Sequence, residues 1–98
     1  MKIGNFVVIT TDSTRRGVFA GILKSHNPDT GRAELTEARN CLYWSKQTRG
    51  VLGLASQGPQ RGSRIGPAVP SILLNGVTAV IEATSAARVA WEAEPWSS

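Results

Sequence analysis

The chain has 98 residues, of which 41% are hydrophobic and 18% charged, and its formal net charge is +4. These values fit one soluble folded domain and fall well short of a histone-like polycation. The single cysteine, Cys41, excludes an internal disulfide and a Cys-rich zinc site. No apolar run approaches the roughly 20 residues that a membrane helix needs. The start MKIGNFVVITTDST lacks the apolar stretch and cleavage site of a signal peptide. The expected setting is therefore a reducing cytoplasm. A domain of this size buries only about 60–65% of its unfolded surface, so self-association is an expected aid to stability.

In chain order, Phe6–Thr11 (FVVITT) is β-branched and predicts a strand. Asp12–Arg16 is a polar turn, and Gly17–Lys24 predicts a second strand with a bend or bulge at Gly21. Asn27-Pro-Asp-Thr-Gly31 is a hairpin signal, from which Arg32–Thr36 returns as a third strand. Asn40–Trp44 is extended as well. Ser45 is placed to cap a short helix to about Ser56, with Val51, Leu54 and Ala55 as its buried stripe. Gly50 and Gly53 each cost about 1 kcal/mol in that helix, so it is short, closely packed or partly loop.

Residues 57–70 form a Gly- and Pro-containing flexible loop, and the prolines confine Pro67–Pro70 to edge strand or loop. Ser71–Leu74 and Val77–Glu82 are strands separated by Asn75-Gly76, a strong hairpin dipeptide. Thr84 caps a last helix to about Ala93, with Ala87, Ala90 and Trp91 on one face and Pro95 as its stop. The sum is a mainly β (α+β) single domain over residues 1–98. Five or six strands and two short helices suit a small, strongly curved sheet or an SH3/Sm-like barrel. An open sheet with helices on one face is the alternative.

Charge is distributed unevenly. Between Arg39 and Ile81 lie Arg39, Lys46, Arg49, Arg61 and Arg64 and no Asp or Glu; all seven acids fall outside that stretch. Such a segment either stands in water or holds an anion. Arg39 beside Tyr43 and Trp44 offers a guanidinium for phosphate and flat rings for a base. The same rings are equally readable as core. Arg15 and Arg16 sit in a turn with Ser13 and Thr14, whose amides and hydroxyls suit phosphate oxygens. Gln60-Arg61-Gly62-Ser63-Arg64 suits a lid, and Lys46 and Arg49 lie near a predicted helix start. Each basic group is also readable as a solvated side chain.

Equipment for catalysis is sparse. His26 is the only histidine, Cys41 lies among apolar residues, and Glu34 and Glu37 are expected on opposite sides of a strand. No spacing suits a metal site, and no cofactor is expected.

The order VVITT, short polar loop, GVFAGIL, hairpin, LTEARNCLYW and VLGLASQG resembles a family of small proteins encoded by tailed bacteriophages. The likeness covers nearly the whole chain and is most specific at Leu35, Ala38, Arg39, Tyr43 and Trp44. The basic loop Thr11–Arg16 and the pair Cys41-Leu42 depart from the pattern. The resemblance implies a phage accessory protein of a family with no assigned enzymatic activity; small phage accessory proteins include inhibitors of host defence and sponges for cyclic nucleotide signals. GVFAGILKSHNPDTGRAELTEA is also similar to the bent glycine strand and hairpin of Sm-like proteins, which implies ring-like oligomers and nucleotide contacts.

The resulting expectation is a non-enzymatic, homo-oligomeric protein of the bacterial host cytoplasm that sequesters a small anionic nucleotide. Arg39, Arg61 and Arg64 would pair with phosphate, and Tyr43 or Trp44 would stack on a base. A Sm-like RNA- or DNA-binding module and a virion or protein-interaction module without nucleotide ligand are the rivals.

Overall fold

The computed structural model describes residues 3–11 and 17–93. Six strands and two short helices follow in the order β1 (Phe6–Thr11), β2 (Val18–Asn27), β3 (Arg32–Tyr43), α1 (Gly50–Ser56), β4 (Arg64–Ile65), β5 (Val69–Leu74), β6 (Val77–Glu82) and α2 (Ser85–Glu92). All strand pairings are antiparallel. β3, β2, β1 and β6 lie side by side, and the far edge of β3 carries β4 and then β5. The sheet is strongly curved and unclosed, and the predicted fold class holds.

Asn75-Gly76 does not make the predicted hairpin. β5 pairs with β3 at one edge of the sheet, whereas β6 pairs with β1 at the other. Two linking residues span about 10 Å at most from Leu74 to Val77. Opposite edges must therefore converge at that end, which forces the curl. The Val77 amide donates to the Gly31 carbonyl at 2.9 Å and fastens the crossover to the Asn27–Gly31 turn. Pro70 sits in β5, an edge strand that tolerates its missing donor.

Both faces of the sheet are apolar. Phe6, Val8, Val18, Ala20 and Cys41 pack with Leu54 of α1 and Trp91 of α2. Val7, Ile9, Leu23, Leu35 and Leu74 pack with one another inside the curl. β1 contributes alternately to the two layers, which accounts for the unbroken apolar run FVVI.

The predicted break between Arg32–Thr36 and Asn40–Trp44 is a bulge inside one 12-residue strand. Ala20 faces Arg39 while Ile22 faces Thr36, so two residues of β3 oppose Gly21. Glu37 takes φ 50° at this point. A Cβ on Gly21 would stand 2.8 Å from the Thr36 carbonyl oxygen, so the glycine admits the bulged backbone. The extra residue exchanges the faces of β3. Ala33 and Leu35 point inside the curl, as does Ala38 beyond the bulge, leaving Cys41 to join the helix-side layer.

The helix predicted from Ser45 is divided. Lys46–Thr48 makes one 3-10 turn, Arg49 adopts a left-handed conformation (φ 67°, ψ 42°), and α1 begins at Gly50. α1 is closely packed: a side chain on Gly53 would collide with the Thr48 carbonyl. α2 starts as expected, with the Thr84 hydroxyl accepting from the Ala87 amide at 3.0 Å. The Trp91 indole Nε1 donates to the Leu54 carbonyl at 2.9 Å and locks α2 onto α1. No helix among the described residues is long and apolar enough to cross a membrane.

Candidate functional site

The bulge in β3 decides where the candidate residues go. Beyond Glu37, Arg39 and Cys41 share the helix-side face of the strand, and the β3–β4 pairing is irregular between Cys41 and Tyr43. Arg39 lies deepest and is buried. Its Nε donates to the Gly66 carbonyl at 2.7 Å, and Nη1 donates to the carbonyls of Trp91 (3.1 Å) and Ala93 (3.4 Å). The cation thus sits at the C-terminal end of α2, where backbone carbonyls favour positive charge. The expected phosphate pairing by Arg39 gives way to a structural role that ties β3, the β4–β5 connection and α2 together.

Tyr43 and Trp44 separate in role. Tyr43 is 58% exposed and Trp44 half-buried, its ring packed against the helix-side core. Both line a cleft of about 530 Å³ between the ends of β1 and β2 and the end of β3. Thr10, Thr11 and Val18 form one wall, Cys41 and Val51 the floor, and the two aromatics the other wall. The described lining carries no charged side chain and is mostly apolar. Burial pushes the Cys41 thiol up to about 11, outweighing a hydrogen bond with the Tyr43 backbone that favours ionisation. The thiol is therefore neutral near pH 7.

A second depression of about 390 Å³ shares Leu42 and Tyr43 with the cleft and is lined also by Gly62 and Arg64. Tyr43 and Arg64 are register partners in the β3–β4 pair, so the ring and the guanidinium come from adjacent strands. Arg61 is exposed one residue from Gly62. Arg64 and Arg61 thus join Tyr43 and Trp44 at one end of the sheet. Lys46 is exposed two residues beyond Trp44, while Arg49 lines a separate groove with Leu52, Gly53, Ser56 and Gln57. Arg15 and Arg16 lie outside the described residues.

The expected flexible segment carries a buried polar network. The Ser45 amide donates to Ser63 Oγ (3.0 Å), the Gln60 amide donates to Thr48 Oγ1 (3.0 Å), and the Thr48 and Ser63 hydroxyls are 3.1 Å apart. Pro59 and Ser63 are buried. Arg61 thus projects from an anchored turn, and a lid motion would have to break these bonds.

His26 stands near the far end of β2, opposite Ala33, whereas Cys41 lies at the Val18 end. Eight strand residues at about 3.3 Å each separate those ends, so no Cys–His pair forms. Glu34 is engaged by Lys24 at 3.4 Å. The described residues contain no group of three or more His, Cys, Asp or Glu that could hold a metal ion. The sequence reading missed Thr10, Thr11, Cys41 and Val51 as cleft residues. No local signal marks them, because the cleft exists only where β1, β2, β3 and α1 meet.

Together these features define a small curved-sheet protein backed by two helices, with an aromatic-walled cleft and arginines beside it. A family model described as "Domain of unknown function (DUF6948)" matches residues 4–91, and the chain belongs to that family. No curated protein and no solved structure matches it.

Proposed function

We propose that this protein binds a small anionic nucleotide at the Tyr43 end of the sheet and holds it without turnover. The observation that carries this reading is the pairing of exposed Tyr43 with Arg64 at the border of an apolar cleft of about 530 Å³. A ring suited to stacking and a cation suited to phosphate stand on adjacent strands, and no described acid lines either depression. The wide separation of His26 and Cys41 favours binding over chemistry. The resemblance to tailed-phage proteins supplies a setting: capture of a cyclic nucleotide alarm signal in the bacterial host cytoplasm, by a homo-oligomer whose copies add to ligand capacity.

The test is calorimetric titration of the protein with cyclic di- and trinucleotides and cyclic ADP-ribose isomers, followed by heat release and chromatography of the ligand. Tight binding with intact ligand supports a sponge. Degraded ligand makes the protein an enzyme and overturns storage. No binding across the panel overturns the proposal; a salt-steep affinity for long RNA or DNA would then identify a polymer binder.

A further inference from the structure

Leu42 and Tyr43 line two depressions of unlike chemistry. In one the described lining is uncharged: Thr10, Thr11, Cys41, Trp44 and Val51 surround a space of about 530 Å³. In the other, Arg64 and Gly62 border about 390 Å³, with Arg61 next in the turn. The described lining, uncharged and largely apolar, offers a phosphate no compensating partner. It suits a flat heteroaromatic ring, which stacks on aromatic faces and tolerates apolar floors. The depression beside Arg64 has the opposite preference. A guanidinium at its edge can pair two oxygens of one phosphate. One such group, with Arg61 nearby, answers one or two negative charges. It does not answer the three or four of a polyphosphate chain.

We propose that each site accepts one nucleotide unit in a fixed orientation, base in the Cys41 cleft and a single phosphate or phosphodiester beside Arg64, with Tyr43 lining both. This rests on the nucleotide-binding reading and adds a selectivity to it. Nucleoside monophosphates, or the repeating unit of a cyclic oligonucleotide, bind better than the nucleoside. Lengthening the phosphate chain adds no affinity. Cys41 reports on the base, because it lines the floor of the cleft.

The experiment titrates the full chain with adenosine, AMP, ATP and inorganic phosphate, then guanosine and its phosphates, by calorimetry. Alkylation of Cys41 by iodoacetamide at pH 8.5 is followed in parallel. The expected result is that AMP or GMP binds at least tenfold tighter than its nucleoside, and that the triphosphate gains nothing further at 150 mM salt. Nucleoside and nucleotide both slow Cys41 alkylation, whereas inorganic phosphate does not. Arg64→Ala reduces nucleotide affinity to the nucleoside level and leaves nucleoside affinity unchanged. Circular dichroism confirms that the variant is folded.

Nucleotide binding that leaves Cys41 alkylation unchanged would overturn the assignment of the base to the cleft. Equal loss of nucleoside and nucleotide in Arg64→Ala would overturn the phosphate assignment, as would a triphosphate that binds tenfold tighter than the monophosphate. Binding of a cyclic oligonucleotide at another face would refute this division and leave nucleotide binding intact. Failure of every mononucleotide and every cyclic oligonucleotide to bind would remove both.

Discussion

Arg39 and Arg64 are similar in sequence context and opposite in consequence. Both are basic and lie in the acid-free stretch, and charge counting cannot separate them. Arg39 is buried because the Glu37 bulge turns it toward α2, where three carbonyl oxygens receive its guanidinium. Replacing it as Arg39→Met leaves those carbonyls without that donor and should cost about 2–3 kcal/mol of stability in urea unfolding. Arg64 is exposed, so Arg64→Ala should change stability by less than about 0.5 kcal/mol. If the two effects were equal, the burial argument would be wrong. Cys41 gives a second test. Its thiol titrates near 9 when unfolded and about 11 when folded. The unfolded chain therefore loses a proton first as pH rises. Stability from this group is complete below pH 9 and is lost between about pH 9 and 11. The urea midpoint of the wild type should fall further than that of Cys41→Ala between pH 8 and pH 11. Parallel decline in the two proteins would show that the thiol is not desolvated.

Among the elements, those whose signals are local were legible in the sequence. β1, the start of β2, the Asn27–Gly31 turn, the irregularity at Gly21 and the Thr84 cap all follow from residues within a few positions of one another. The continuity of β3 was not legible, because nothing in Thr-Glu-Ala-Arg announces that Glu37 accepts a positive φ to keep the strand running. Asn75-Gly76 marked a break between two strands but not a hairpin: β5 and β6 run in the same sense at opposite edges of the sheet, and a dipeptide cannot say which edge receives the next strand. The candidate site was partly legible for the same reason. Aromatic and basic residues close in sequence were found, while the wall from Thr10 to Val18 required the tertiary structure. The turn bearing Arg61 depends on Thr48, whose hydroxyl accepts from the Gln60 amide and meets Ser63. Thr48→Val keeps the shape and removes that hydroxyl. Tryptic cleavage after Arg61 should accelerate about tenfold, the effect of one lost buried hydrogen bond on local opening. An unchanged cleavage rate would mean that other contacts hold the turn.

At the scale of the whole molecule, two apolar layers share one sheet, and β1, which alternates between them residue by residue, is the first strand to be made. Val7 finds its partner in Glu82, and Val8 in Ile81. The 75 residues from Val8 to Glu82 take about 4–15 s to synthesise at about 5–20 residues per second. Throughout that interval β1 has one edge with no possible mate, and its apolar run FVVI is unbroken. A nascent polypeptide of this design is therefore exposed to mispairing with its neighbours on a crowded polysome. Cells making it would benefit from slow initiation or from a chaperone that shields the first ten residues until the sixth strand emerges.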